Sequence, residues 1–243
     1  MKTFVVGNQK GGSGKTITTV NLGYSFSLLK QKVLLIDLDP QNNTTPFFSK
    51  ANQNGKTVWD VMNEPEKVKR CIYHSRYPGI DIIKGDTGLC ESDVKDMNWL
   101  CKVLQRLDTT YDVCVIDTRP VFENITTSAL RAADVLLTPA CLDKFCRDNL
   151  NLVDSYVMKF QEEHELEWKV FATKVDTQRK AQKSTYEDLL SKHEYPFMET
   201  CISRSAVVDN ALDFYKPVMK HRSKSEVAQD YMDLARELLS KEG

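Results

Sequence analysis

Lys10-Gly11-Gly12-Ser13-Gly14-Lys15-Thr16 comes directly after a β-branched apolar run, Thr3-Phe4-Val5-Val6-Gly7, and directly before a stretch, Thr16-Leu29, that reads as a helix. Three glycines at such a strand-to-helix junction let the backbone curl with its N–H groups pointing inward, toward an anion on the helix N-terminus. In that setting Lys15 would reach the β- and γ-phosphates of a nucleotide and the Thr16 hydroxyl would hold Mg²⁺. Gly11, Gly12, Ser13, Gly14, Lys15, Thr16 and Ile17 are therefore the candidate nucleotide-binding residues. The alternative is a glycine-rich turn with no ligand, and the acidic strand ends described next weigh against it.

Working outward, short apolar runs alternate with helical patterns from end to end, the signature of βαβ units and a mostly parallel sheet. Strands are expected near residues 3–7, 32–37, 80–83, 112–117, 135–139, 169–175 and 197–202, and helices near 16–29, 92–107, 124–133, 149–163, 181–193 and 225–241. The unbroken apolarity of Val33-Leu34-Leu35-Ile36 implies cover on both faces. The pattern predicts an α/β fold, a doubly wound and mostly parallel sheet flanked by helices, as one domain over residues 1–243. Ser223 and Glu226 have capping-box spacing ahead of Val227, Tyr231, Leu234 and Leu238, which recur at helical intervals. Residues 42–77 are the least regular.

Ligands of open parallel sheets bind at the carboxyl ends of the strands. Two strands end in acids there: Val33-Leu34-Leu35-Ile36-Asp37-Leu38-Asp39 and Val113-Cys114-Val115-Ile116-Asp117. Asp117 suits a Walker B role near Mg²⁺, although aspartates at strand ends also serve as plain turn or helix caps.

Composition bounds the rest. A net charge of -1 over 243 residues means that any polyanion would have to bind a local patch. No run of about 18 apolar residues occurs and no signal-peptide pattern opens the chain, so the expectation is a cytoplasmic protein. The seven cysteines form no CxxC pair and read as reduced, buried thiols, not as metal or iron-sulfur ligands.

These residues resemble the deviant-Walker ATPases that include ParA and Soj of DNA partition and MinD of division-site placement, a P-loop, SIMIBI-like group. Lys10 to Thr16 fits the KGGxGKT loop, and Asp37-Leu38-Asp39-Pro40-Gln41 fits the DxDPQ stretch. The similarity continues through Val135-Leu136-Leu137-Thr138-Pro139 to Tyr231-Met232-Asp233-Leu234-Ala235-Arg236-Glu237. The resemblance implies an ATP hydrolase using ATP and Mg²⁺, in which Lys10, Lys15 and Asp39 are catalytic and Thr16, Asp37 and Asp117 surround the metal. Lys10 would reach the partner's phosphates across an ATP-bridged homodimer, Asp39 would orient the attacking water, and Gly11 would stay small for the partner's backbone.

Two departures from the family pattern stand out. The family follows its Walker B aspartate with a residue and two prolines, whereas Asp117-Thr118-Arg119-Pro120 puts an arginine beside the phosphates. Arg119 either touches the γ-phosphate or pairs with an aspartate, and pairing is the expectation. Thr173-Lys174-Val175-Asp176 is similar to the [NT]KxD motif that selects guanine, which makes Lys174 and Asp176 candidate base-site residues, with ATP still expected from the loop.

Relatives of this kind differ in what the ATP-bound dimer grips. Arg204, Lys216, Lys220, Arg222 and Lys224 would bind DNA phosphates nonspecifically, with a ParB-like centromere-binding protein as the hydrolysis-stimulating partner, association with the nucleoid in the ATP state and plasmid segregation as the outcome. Val207 replaces the second arginine of the family's segment and Asp209 and Asp213 intervene, so an ordinary solvated basic surface stays open. The alternative is a relative that positions a protein cargo or regulator without DNA. The acids in the last helix oppose a MinD-like membrane helix, the cysteine spacing opposes an iron-protein-like reductase, and the immediate first strand leaves no N-terminal helix-turn-helix.

Overall fold

The computed structural model describes residues 1–49, 55–176, 178–191 and 195–240. Its strands are β1 (Lys2–Val6), β2 (Val33–Asp37), β3 (Ile72–His74), β4 (Ile80–Ile83), β5 (Val113–Asp117), β6 (Val135–Cys141), β7 (Glu167–Val175) and β8 (Ile202–Ser203). They form one sheet in the order β3-β4-β2-β5-β1-β6-β7-β8. Every neighbouring pair is parallel except β3 with β4.

Helices cover both faces, and the two-residue period of each strand divides its side chains between them. On one face Val5, Leu34, Ile36, Cys114 and Ile116 pack with α3 (Val58–Asn63), α4 (Trp99–Gln105), α5 (Asn124–Arg131) and α6 (Cys146–Gln161). On the other, Phe4, Val6, Leu35 and Val115 pack with α1 (Lys15–Leu28) and α10 (Glu226–Leu239). All four residues of the stripe Val227, Tyr231, Leu234 and Leu238 are buried in this second layer. Phe26 of α1 stacks on Phe4 at 5.5 Å, which seats the helix that carries the glycine-rich loop. This is the doubly wound parallel architecture that the alternating pattern implied.

Several elements differ from the sequence reading. The helix expected over 92–107 forms only at Trp99–Gln105, because Asp93 and Asp96 accept hydrogen bonds from the Cys90 and Asn98 N–H groups and hold the chain in turns. The strand expected over 197–202 shrinks to one bridge at Phe197 and the two residues of β8. Between them the N–H groups of Glu199 and Thr200 donate to the Glu237 carboxylate of α10 at 2.8 and 2.9 Å, not to β7. The capping box at Ser223 does not form: the N-cap of α10 is Ser225, whose hydroxyl donates to the Arg222 carbonyl.

The irregular segment contains α2 (Thr45–Phe48), α3 and β3, and the C-terminal quarter adds α8 (Ala206–Asp213) and α9 (Val218–His221). Helix α7 (Lys180–Ser191) stands where one was expected, but the proposed ends at His193 and Lys241 lie outside the described residues. All seven cysteines are free, and Cys71, Cys114 and Cys146 are buried, but Cys90 is exposed, as the N-cap of a single 3₁₀ turn, Glu91–Asp93. No helix among the described residues is long and apolar enough to cross a membrane.

Candidate functional site

The loop between β1 and α1 closes tightly because two of its glycines take conformations open to few other residues. Gly12 and Gly14 have φ of 69° and 102°, where a Cβ costs about 1 kcal/mol or more. Gly14 is the N-cap, so α1 begins at Lys15 with its first N–H groups facing the loop. Asn8, fully buried, fixes the loop's start: its side-chain amide donates to the Pro139 carbonyl and its Oδ1 accepts the Lys10 N–H, both at 2.8 Å. Lys15 is only 7% exposed and its Nζ reaches the Lys10 carbonyl at 3.2 Å. Burial holds its pKa below the usual value, opposed by the charges of Asp117 and Asp39.

Lys10 itself forms an ion pair with Asp143, just past β6. Lys174, at a left-handed φ of 55°, donates to the Gly12 carbonyl at 2.9 Å. Asp176 is used elsewhere: its Oδ1 accepts the Gln178 N–H at 3.1 Å and its Oδ2 meets Arg179 at 3.2 Å, in the turn that enters α7.

The two acidic strand ends meet. Asp37 and Asp117 are register partners across β2 and β5, and neither has exposed surface. Adjacent threonines hold them: the Thr44 hydroxyl donates to Asp117 Oδ2 at 2.7 Å, and the N–H and hydroxyl of Thr45 donate to Asp37 Oδ2, each at 2.9 Å. Burial raises both carboxyl pKa values. The neighbouring Asp117 adds to the rise at Asp37, while hydrogen bonds from Thr44 and Thr16 oppose it at Asp117. Asp117 Oδ1 is buried with no hydrogen-bond partner among the described residues. Two facing carboxylates, an orphaned oxygen and the Thr16 hydroxyl together form an oxygen-rich site short of positive charge, which fits a hard divalent cation.

This arrangement has a cost in the protein alone. Because the folded pKa values lie above the unfolded ones, the folded state binds more protons, and stability falls as pH rises from about 4 toward neutrality. Asp117→Asn is therefore expected to raise the melting temperature by about 2–4 °C at pH 7.5 without nucleotide, with a smaller rise at pH 4.5. A thermal denaturation series checks this, and an unchanged or lower melting temperature at pH 7.5 would show that the pair is no burden to the fold.

Above these acids lies a cleft of ≈ 930 Å³, lined by Gly11, Gly12, Gly14, Lys15, Thr16 and Ile17, by Asp39, Pro40 and Gln41, and by Arg119, Lys174 and the α8 residues Val208 and Leu212. Asp39 lies past the end of β2 in a turn, with Oδ1 accepting the Gln41 N–H at 2.9 Å, and is half-buried where Asp37 is enclosed. Arg119 pairs with a glutamate, not an aspartate: Nη1 donates to Glu91 Oε1 at 2.9 Å. Ser13 is buried beneath the loop, and Asp176 does not line the cleft.

Arg204, Lys216, Lys220, Arg222 and Lys224 are all exposed, and none has an ion-pair partner among the described residues. Residues 216–224 surround α9, next to Tyr215 on the cleft rim. Sequence reasoning missed Asn8, Thr44, Thr45, Glu91 and Asp143. The one local signal was the pair Thr44-Thr45 soon after the aspartates, since hydroxyls are the usual partners of enclosed carboxylates.

A family model, AAA_31 (AAA domain), matches residues 1–170. The chain is 28% identical over 255 residues to chromosome partitioning protein ParA of Caulobacter vibrioides, covering 100% of this chain and 95% of that protein. It is 27% identical over 252 residues to chromosome-partitioning ATPase Soj of Treponema pallidum, covering 100% and 98%. Among solved structures it is similar to apo McdA of Cyanothece (TM-score 0.86, 22% identity, 98% and 99% covered) and to MinD of Pyrococcus horikoshii complexed with Mg-ADP (TM-score 0.80, 21% identity, 98% and 96% covered).

Proposed function

The chain belongs to the AAA_31 family of AAA domains and is similar over its whole length to partition ATPases, and from that premise we propose that it is a ParA-type Mg-ATPase whose ATP-bound dimer grips DNA without reading sequence. The observation that carries the ATPase half is that the glycine-rich loop, Lys15, Thr16 and Asp39 line one cleft, while Asp37 and Asp117 are paired and enclosed at the ends of the adjacent strands β2 and β5. Thr16, Asp37 and Asp117 would hold Mg²⁺, which when bound neutralises charge on the phosphates. The loop N–H groups and Lys15 bind and orient the phosphates, and Asp39 takes up the attacking water. MinD, of the same fold, is solved with Mg-ADP.

The dimer half draws support from Gly11. A Cβ there would meet no atom within 4 Å, and the residue is outside the left-handed set. Nothing inside the chain demands glycine, which suits a position kept bare for a second copy. Lys10, held by Asp143 in the single chain, would transfer to the partner's phosphates. The five exposed basic residues supply the DNA surface, a ParB-like protein would stimulate hydrolysis, and the cell's nucleoid would be the site of action in the ATP state. In this reading the 243 residues act as one domain, and Lys174 steadies the loop from beside the base site.

The test is binding to random-sequence duplex DNA with Mg-ATP, Mg-ADP or no nucleotide across a salt series. Binding is expected with ATP alone, falling about tenfold or more between 50 and 200 mM salt for a few phosphate contacts. Gly11→Val is expected to bind ATP but neither dimerise nor hold DNA. An ATP-dependent dimer with no DNA affinity in any state would replace this reading with one in which the protein positions a protein cargo.

A further inference from the structure

We propose that Arg119 is a further catalytic residue, contacting the terminal phosphate of the nucleotide bound in its own chain; the inference rests on the ATPase reading above. Arg119 follows Asp117 by two residues at the carboxyl end of β5, a central strand between β2 and β1. Its side chain lines the cleft with Gly12, Lys15, Thr16 and Asp39.

One edge of its guanidinium is fixed. Nη1 donates to Glu91 Oε1 at 2.9 Å, and the other oxygen of Glu91 accepts the Ile125 N–H, also at 2.9 Å, at the start of α5. Glu91 thus divides its charge between a helix N-terminus and the arginine. It holds the guanidinium in place without enclosing it, since the Arg119 side chain keeps 29% of its surface open. Among the described residues most of its N–H donors are unused, and such a planar fork matches a phosphate edge.

The other cations of the cleft region are anchored differently. Lys15 bonds the Lys10 carbonyl, Lys174 bonds the Gly12 carbonyl, and Lys10 pairs with Asp143. Arg119 is anchored through Glu91 and shares the cleft with Gly12, Lys15 and Asp39, the end where the phosphates would lie and where negative charge gathers in the transition state.

Equilibrium titration of Mg-ADP and of a non-hydrolysable Mg-ATP analogue, with ATP turnover measured beside it, tests the contact. Arg119→Ala should leave ADP affinity within about threefold, cut the preference for triphosphate over diphosphate about tenfold and lower kcat by a similar factor, the loss of one charge-assisted hydrogen bond. Arg119→Lys should recover part of both. Glu91→Gln, which keeps an acceptor for the Ile125 N–H, should retain or strengthen the triphosphate preference because it frees the guanidinium.

Unchanged preference and turnover in Arg119→Ala would overturn the inference. So would an equal loss in Glu91→Gln, which would make the pair a brace. A wild-type protein that binds both nucleotides without turnover would overturn the ATPase reading instead, and the affinity ratio would still decide whether Arg119 touches the phosphate.

Discussion

Lys15→Ala is expected to weaken binding of Mg-ATP by at least ~100-fold, the loss of charge-assisted bonds to two phosphates at about 1.5–3 kcal/mol each, and of Mg-ADP, which offers only the β-phosphate, by about tenfold or more. The structure explains why no neighbour can substitute. Lys15 is enclosed at the first residue of α1, and its ammonium is aimed back along the loop to the Lys10 carbonyl. Burial disfavours its charged form, and a nucleotide phosphate beside it would favour that form. The fold should survive, because the truncated side chain removes a buried charge and not a core anchor. Isothermal titration with both nucleotides, beside a thermal melt, separates these effects. Retained micromolar binding would mean that the backbone N–H groups alone hold the phosphates.

Asp39→Ala should do something different. Turnover is expected to fall about 10²–10³-fold, the usual contribution of a positioned proton acceptor, while ATP affinity stays within about threefold. The difference follows from placement. Asp37 is enclosed and bonded by Thr45, whereas Asp39 stands in the turn beyond β2 with its carboxylate on the cleft. On the proposed reading, removing it deletes the side chain that orients the attacking water and leaves the phosphate-binding loop intact. The variant should therefore accumulate as the ATP-bound dimer, visible by light scattering. Normal turnover in Asp39→Ala would transfer the water-orienting role to another group.

The sequence made the central strands and the phosphate loop legible because each depends on local information. Val33-Leu34-Leu35-Ile36-Asp37 is apolar at every position but its end, and a strand covered on both faces has no other pattern. The glycine spacing likewise carries its own geometry. What stayed hidden depends on partners far along the chain. Glu91 meets Arg119 from 28 residues away, Asp117 takes its hydrogen bond from Thr44 73 residues earlier, and Lys10 finds Asp143 across 133.

β8 was overextended for the same reason: Glu237, 37 and 38 residues later, captures the two N–H groups that would have continued the strand. Helix α8 escaped notice because, of its apolar residues, only Ala211 is buried. Asp176 is the reverse case. Its motif matched, but the turn into α7 consumes both carboxylate oxygens.

The two ends of the sheet have a consequence of their own. One margin is the three-residue antiparallel β3, whose His74 is exposed, and the other is the two-residue β8. Strands this short present too few free N–H and C=O groups to template a neighbour, so the margins resist the zippering that long bare strands invite. If the protein crowds on a polymer as proposed, these margins leave little risk that copies fuse into fibrils. On the same proposal, reversible association would be left to the loops above the strand ends, where a small molecule would license it and its chemical breakdown would undo it.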